Sequence, residues 1–293
     1  MRKTGPGLLD PGLIISRVMF DQSRYLRALT TAWLGRRLDY HETVGSTMDV
    51  ARQLAEAPGP DGLVVLADEQ TAGRGRRGRS FYSPRGQNLY FTIILEAPAV
   101  RLRSLPVVVP VAVVEAIADQ APGATIKWPN DIWLGERKCC GMLIDIHQID
   151  DRPIALVGIG INVNGDPAVQ PDLAKTATSI AKATGTVADR EALLAAIMNN
   201  LEPLLGVSLA DVHTRYAARS NVLGREVVVH EVTGGVYEGT AVRLAPTGAL
   251  IVRRTNGDEV ELEAADVSVR PQGEVRGTSN PTEWPTSPSP RGE

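Results

Sequence analysis

Four arginines and three glycines stand together in the segment TAGRGRRGRS, residues 71–80, with no acidic residue among them. Arginine stays charged at all ordinary pH values and binds phosphate or carboxylate through two parallel hydrogen bonds. Glycine lets backbone N–H groups approach a ligand closely. The segment therefore predicts a loop that closes over an anionic ligand. A solvated basic loop and an RNA-binding loop are the alternatives.

The glycines of this loop formally match the G-x-G-x-x-G pattern at Gly73, Gly75 and Gly78. In dinucleotide-binding folds such glycines open a helix whose N-terminus receives the pyrophosphate. Here strand-like segments lie on both sides, LVVLADEQ at 63–70 and NLYFTIIL at 88–95. This strand–loop–strand order argues against a dinucleotide fold. The chain also lacks the G-K-[ST] of a P-loop and the H-R-D and D-F-G motifs of a protein kinase.

A second polar cluster, KWPND at residues 127–131, is followed by Lys138 and Gly141. Taken one at a time, these residues have ordinary interpretations. Pro-Asn-Asp is common turn chemistry, a tryptophan suits the core, and Lys138 suits a solvated hairpin. Only the combination with the other motifs indicates a site.

Hydrophobic periodicity and turn signals predict the elements that position these residues. Ser46 suits a helix N-cap before the amphipathic segment 48–57, and a short helix is expected over 25–34. Two apolar runs divided by Asp-Asp-Arg-Pro predict a hairpin over 138–164. From residue 221, short strands divided by glycine-containing turns predict a small antiparallel barrel. Further helices are expected over 107–120, 191–205 and 209–218.

The composition narrows the class of ligand. The chain has 293 residues, a net charge of −3 and a pI of about 5.9, whereas a general nucleic-acid binder usually carries a basic surplus. Aromatic residues make up only 4%, which is thin for a base-stacking platform. The adjacent Cys139 and Cys140 suit a reducing compartment rather than a disulfide or a zinc site. With neither a signal peptide nor a membrane-spanning segment in evidence, we expect a cytoplasmic protein.

Five motifs, in their order and spacing, resemble those of the biotin protein ligases. They are Ser46-Thr47, the loop from Gln70 to Arg79, KWPND at 127–131, Lys138-x-x-Gly141, and GIGINVN at 158–164. Each motif is weak by itself, and the combination is specific. The resemblance covers about residues 40 to 270.

The resemblance implies an α+β fold, in which a mixed sheet is flanked by helices as in class II synthetases and biotin–lipoate ligases, with a C-terminal SH3-like β-barrel. It implies an N-terminal extension at 1–36, a catalytic domain at 37–220, the barrel at 221–270 and a disordered tail at 271–293. The implied activity is that of a biotin–[acetyl-CoA-carboxylase] ligase. Biotin and MgATP would form biotinyl-5′-AMP, which a carrier-protein lysine then attacks.

The resemblance also assigns roles to matching residues. Lys138 would bridge the biotin carboxylate and the α-phosphate, and a magnesium ion is expected near Asn162. Because the incoming lysine must lose its proton, Asp131 is a candidate for orienting or deprotonating it. The predicted catalytic residues are Lys138, Arg76 and Asp131. The implied biotin-binding residues are Ser46, Thr47, Met48, Gln70, Arg74, Gly75, Arg76, Lys138 and Gly141. The implied ATP-binding residues are Arg74, Arg76, Asn130, Lys138 and Asn162.

Two departures from the family pattern stand out. Met48 occupies a position where the family often has Asn, so one polar contact to the ligand is lost or is supplied by backbone. Cys139-Cys140 replaces the usual Leu-Ala, and both cysteines are expected to pack in the core.

The implied partner is the biotin carboxyl carrier protein or domain of a biotin-dependent carboxylase, with no membrane and no specific DNA. Because about 40 residues precede Ser46 and show no helix–turn–helix pattern, we expect a monofunctional ligase without repressor function. Members of the family often dimerise through sheet edges, so a homodimer is one expectation, although the sequence itself discloses no oligomeric state. The main rival activity is that of a lipoate–protein ligase or octanoyltransferase, whose usual R-R-x-x-G-G-G loop is absent here.

Overall fold

The computed structural model describes residues 19–75, 78, 80–231, 234–263 and 265–269. The predicted disordered tail and the first 18 residues lie outside this part of the chain. Within it, a seven-stranded sheet and a five-stranded sheet organise the molecule. The strands of the larger sheet are β1 (Arg37–His41), β2 (Leu63–Ala67), β3 (Leu89–Glu96), β4 (Ala124–Lys127), β5 (Asp131–Leu134), β6 (Arg137–Ile149) and β7 (Arg152–Ile161).

The larger sheet has the order β1-β2-β3-β7-β6-β5-β4. β1 pairs with β2 in parallel and every other neighbouring pair is antiparallel, so the predicted mixed sheet is confirmed. The hairpin predicted over 138–164 is the pair β6–β7 at the centre. Because the Arg/Gly loop connects β2 to β3, the predicted strand–loop–strand order is also confirmed.

Helices cover both faces of this sheet. The helices are α1 (Gln22–Ala28), α2 (Thr47–Ala55), α3 (Ala99–Leu102), α4 (Leu105–Gln120), α5 (Ile180–Thr184), α6 (Arg190–Leu204) and α7 (Leu209–Arg219). Successive side chains of a strand point to opposite faces. Val65 of β2 packs with Met48 and Ala51 of α2, whereas Val64 and Leu66 join the main core around α4. α4 is apolar on nearly every side because α6 and α7 cover it in turn.

The described part of the N-terminal stretch belongs to the main core. Phe20 and Tyr25 are buried there, and α1 packs on α6. The helix expected over 25–34 was misplaced, since α1 begins three residues earlier, where the side chain of Asp21 accepts the N–H of Arg24. After α1 the chain follows the end of α6, where the Glu202 carboxylate accepts three consecutive backbone N–H groups.

The second sheet is antiparallel, with the order β11-β10-β9-β8-β12. Its strands are β8 (Glu226–Glu231), β9 (Val236–Leu244), β10 (Leu250–Arg254), β11 (Glu259–Leu262) and β12 (Ala265–Val269). The short strands predicted from residue 221 onward are the strands of this sheet. It is tied to the first sheet by the Trp128 indole N–H, which donates to the Gly248 carbonyl at 2.8 Å. None of the described helices is both long and apolar enough to cross a membrane.

Candidate active site

One cavity of about 410 Å³ opens between the Arg/Gly loop, the centre of the large sheet and the β4–β5 turn. It brings together nearly all of the site residues predicted from the sequence. Those that line it are Ser46, Thr47, Met48, Gln70, Arg74, Gly75, Asn130, Asp131, Lys138, Gly141 and Asn162. Arg76, like Arg77 and Arg79, lies outside the described residues, so its predicted role stays a prediction.

The floor of the cavity is glycine backbone on the central strands. A Cβ atom added to Gly158 would lie 2.6 Å from the Met48 sulfur, and one added to Gly160 would lie 2.7 Å from the Phe81 ring. Both distances are too short for non-bonded atoms. The two glycines of GIGINVN therefore leave room for Met48 and Phe81 to lie directly on β7.

One end of the cavity is uncharged and polar. Ser46 is the N-cap of α2, which places Thr47 in the first turn of that helix. The backbone N–H and the hydroxyl of Thr47 both contact Gln70 Oε1, at 2.9 and 3.2 Å. The Gln70 amide nitrogen donates to Ser83 Oγ at 3.2 Å. These groups are fixed by each other, so they present a defined pattern of donors and acceptors to a ligand.

The other end carries a cation on the β5–β6 hairpin, Lys138. Lys138 Nζ lies 2.7 Å from Asp131 Oδ1, and both side chains are only partly exposed. The backbone of Lys138 is held on its far side, because its N–H donates to Thr176 and its carbonyl accepts from Thr178, both at 2.9 Å. Lys138 is therefore presented from a strand that is fixed on both edges.

Lys127, the first residue of KWPND, adds a further cation to the cavity, and its sequence position alone predicted no role for it. Its Nζ lies 4.2 Å from the centre of the Trp133 ring, a cation–π contact, and both residues line the cavity. The alternation of side chains along β5 could have indicated that Trp133 lines the cavity, since Asp131 and Trp133 are two residues apart and share a face.

Arg74 stands where the Arg/Gly loop leaves the sheet. A bridge between Arg74 and Ser80 pairs the two sides of the loop stem. The Arg74 guanidinium lies 2.7 Å from Asp49 Oδ2 on α2. Asp49 also lies 3.7 Å from Arg52, which pairs in turn with Asp145 at 3.2 Å. A row of alternating charges thus connects the loop to β6, and Asp49 is a partner of the cavity-lining Arg74 that the motifs did not reveal.

Asn130 and Asn162 line the cavity while they hold its walls in place. The amide nitrogen of Asn130 donates to the Met142 carbonyl, and that of Asn162 donates to the Thr178 carbonyl at 3.0 Å. The peptide bond between Trp128 and Pro129, next to Asn130, is cis. Cys139 and Cys140, which follow Lys138, are fully buried, and burial raises the pKa of the Cys139 thiol to about 12.

Comparison with known proteins places this site in a family. A model of the "Biotin/lipoate A/B protein ligase family" matches residues 40–164, and one of the "Biotin protein ligase C terminal domain" matches residues 222–270. A biotin–[acetyl-CoA-carboxylase] ligase of Paracoccus denitrificans is 34% identical over 74% of this chain and 95% of that protein. The chain belongs to the biotin protein ligase family. The family and the enzyme class predicted from the sequence are confirmed.

Other relatives of this ligase are also ligases by name. The bifunctional ligase/repressor BirA of Bacillus subtilis is 32% identical over 82% of this chain and 76% of that protein. A solved biotin protein ligase of Aquifex aeolicus, in complex with biotin and ATP, superposes with a TM-score of 0.66 at 28% identity, over 80% of this chain and 99% of that one. The Leishmania major enzyme in complex with biotinyl-5-AMP superposes with a TM-score of 0.56 at 29% identity, over 78% of this chain and 99% of that one.

Proposed function

We propose that this ligase attaches biotin to a specific lysine of a biotin carboxyl carrier protein, through a biotinyl-5′-AMP intermediate. One observation carries the proposal: a single cavity joins an uncharged hydrogen-bonding end at Thr47 and Gln70 to a cationic end at Lys138. The groups of biotin are distributed in the same way, with a polar, uncharged ureido ring at one end and a carboxylate at the other. The complexes of the Aquifex and Leishmania relatives support the assignment.

In the first half-reaction two anions must meet. A carboxylate oxygen of biotin attacks the α-phosphorus of ATP, the bond to the β-phosphate oxygen breaks, and pyrophosphate leaves with its electron pair. Fixed cations near the equatorial oxygens lower this barrier because they need no reorganisation as charge develops. Lys138 is suited to that task, and Arg74 is placed to neutralise the carboxylate or the phosphates.

A magnesium ion fits this chemistry as a companion of the nucleotide. Among the described residues no three His, Cys, Asp or Glu side chains cluster as a metal site. Mg²⁺ commonly uses one or two carboxylates together with substrate phosphates, and Asp131 lines the cavity with a carboxylate of the required kind. When bound, the ion would neutralise phosphate charge. Asn162 lines the same cavity and would supply a neutral oxygen nearby.

In the second half-reaction the amine of the carrier lysine attacks the carbonyl carbon of the adenylate. The bond between that carbon and the phosphate oxygen breaks, and AMP leaves. A free lysine has a pKa of about 10.4, so its ammonium must lose a proton before it attacks. Asp131, held 2.7 Å from Lys138, is the carboxylate placed to orient the ammonium or accept that proton.

Replacing Arg74 by alanine is expected to increase the release of biotinyl-AMP into solution. Arg74 joins the Arg/Gly loop to α2 through Asp49, and a loosened loop would give water and solvent access to the anhydride. The measurement is the rate at which labelled adenylate escapes from pre-loaded enzyme in the absence of carrier. Arg85→Ala is the matched control, since Arg85 pairs with Glu42 and does not line the cavity. An unchanged escape rate for Arg74→Ala would count against the covering role.

The proposed activity is tested by incubating the protein with ATP, Mg²⁺, a carboxyl carrier domain and labelled biotin. We expect acid-stable label on a single carrier lysine, and none when that lysine is replaced by arginine. Lipoate and octanoate, each with its own carrier domain, form the second arm of the experiment. Transfer of lipoate or octanoate but not of biotin would replace our proposal with the rival activity.

The domain boundaries and the closure of the second sheet are also proposals. We propose catalytic and C-terminal domains at 37–220 and 221–270, and closure of the second sheet into an SH3-like barrel, since the last strand, β12, returns to pair with the first, β8. A homodimer, the absence of repressor function and a cytoplasmic location stay predictions.

A further inference from the structure

We propose that Thr92 is a positioning residue that sets the direction of the hydrogen bonds which the cavity offers to the ring of biotin. The inference rests on the proposed function and extends it to a residue outside the cavity wall. Thr92 lies in the middle of β3, between the apolar side chains of Phe91 and Ile93, and it is fully buried. Burying a hydroxyl without a partner is costly, so such a residue needs a hydrogen bond. Its Oγ1 lies 2.9 Å from Thr47 Oγ1.

The direction of each hydrogen bond in this cluster follows from the chemistry of the groups. The backbone N–H of Thr47 can only donate, so the Gln70 atom that faces it at 2.9 Å must be the carbonyl oxygen Oε1. A carbonyl oxygen can only accept, so the Thr47 hydroxyl, 3.2 Å away, must donate its single proton to it. The proton between Thr92 and Thr47 must therefore come from Thr92.

The same chain of bonds fixes the far side of Gln70. With Oε1 directed to Thr47, the amide nitrogen faces Ser83 Oγ and donates to it at 3.2 Å. The Ser83 hydroxyl then donates to the Phe81 carbonyl at 2.9 Å. Each group in this chain therefore donates to the next one, in the order Thr92, Thr47, Gln70 and Ser83. The chain ends at the Phe81 carbonyl, which can only accept.

This direction determines what a ligand meets at the polar end. Gln70 Oε1 accepts two hydrogen bonds from Thr47, which uses both of its lone pairs. Gln70 retains one amide N–H, and the Thr47 oxygen, which accepts from Thr92 and donates to Gln70, retains one lone pair. The cavity therefore offers an acceptor next to a donor. A cyclic urea, with N–H beside C=O, matches that pair, whereas the dithiolane of lipoate and an alkyl chain have neither group.

Without the Thr92 hydroxyl, the Thr47 hydroxyl loses the hydrogen-bond donor that fixes the direction of its remaining lone pair. No water replaces that donor, because the position is fully buried. A net hydrogen bond contributes about 0.5–1.5 kcal/mol, so the KM for biotin should rise by about 2- to 13-fold in Thr92→Val. The KM for ATP and the kcat of adenylation should stay near the wild-type values, because Lys138 and Asp131 lie at the other end of the cavity.

The test is biotin-dependent ATP–pyrophosphate exchange on the full chain, with thermal unfolding measured in parallel. Thr92→Ser restores the hydroxyl and should return the KM for biotin to near the wild-type value, and Thr92→Ala is a second hydroxyl-free variant in case the valine variant does not fold. In a Thr47→Val background, removing the Thr92 hydroxyl should have no further effect, since Thr92 acts through Thr47.

Three results would overturn the proposal. They are an unchanged KM for biotin in both hydroxyl-free variants, a parallel rise in the KM for ATP, and a full additional effect in the Thr47→Val background. Wild-type protein without any biotin-dependent exchange would instead refute the proposed function itself, so the two failures are distinguishable.

Discussion

Replacing Lys138 by methionine is expected to lower the rate of biotin-dependent pyrophosphate release by about 100- to 1,000-fold, the loss typical for removal of one fixed group that stabilises transition-state charge. Methionine keeps most of the length of the side chain and removes its charge. It also leaves Asp131 without the cation that lies 2.7 Å from it, so one carboxylate remains in a cavity that must hold further anions. Both effects raise the barrier for attack on the α-phosphorus.

The expected loss lies mainly in kcat, because the charge that Lys138 stabilises grows in the transition state. Single-turnover measurement with saturating biotin and ATP separates this from a binding defect. Lys182→Met is the matched control, since Lys182 forms a 2.7 Å ion pair with Asp166 and does not line the cavity. Near-normal pyrophosphate release by Lys138→Met would remove Lys138 from the reacting centre.

Replacing Arg190 by methionine is expected to lower the free energy of unfolding by about 3–5 kcal/mol, the range for removing one partner of a buried ion pair. Arg190 lies 3.1 Å from Asp68, and their side chains are only 6% and 3% exposed. The other carboxylate oxygen of Asp68 accepts the Tyr40 hydroxyl at 2.6 Å. Burial, together with this hydrogen bond, raises the pKa of Tyr40 to about 12. Without Arg190, the Asp68 charge remains buried, and the neutral Tyr40 hydroxyl does not compensate it.

Urea denaturation of wild type and variant at pH 7 measures this effect. Lys182→Met serves again as the control, because an exposed ion pair contributes about 0–1 kcal/mol. Adding Asp68→Asn to the Arg190→Met variant should recover part of the loss, since it removes the uncompensated charge. A loss below about 1 kcal/mol in the single variant would contradict a buried, coupled pair. Asp68 lies at the end of β2, just before the Arg/Gly loop, so the pair also anchors the base of that loop.

The sequence predicts best where the signals are local. The hairpin over 138–164 follows from two apolar runs and a polar turn, and the structure places it as the central pair of strands. The start of α2 follows from Ser46, whose extended backbone, with φ of −155°, is that of an N-cap, although its hydroxyl makes no capping hydrogen bond. The clustered motifs were likewise close in space, because four of them lie at or beside the ends of strands of the same sheet and Ser46-Thr47 begins the helix that packs on it.

Contacts between distant positions have no comparable local signal. Asp68 and Arg190 are 122 residues apart and lie on a strand end and a helix. Nothing near either residue predicts that they meet. Arg74 and Asp49 likewise meet only because α2 lies beside the loop stem. The role of Thr92 could not be predicted for another reason. Threonine is common in strands, so a threonine within an apolar run is explained by β-propensity alone until its hydrogen-bond partner is known.

The most direct test of the central claim is ATP–pyrophosphate exchange by the wild-type protein, with biotin, lipoate or octanoate as the only carboxylic acid present. We predict exchange that depends on biotin, is absent with lipoate and octanoate, and is lost in Lys138→Met. Exchange that is equally fast with all three acids, or that occurs without biotin, would contradict a cavity built to adenylate biotin.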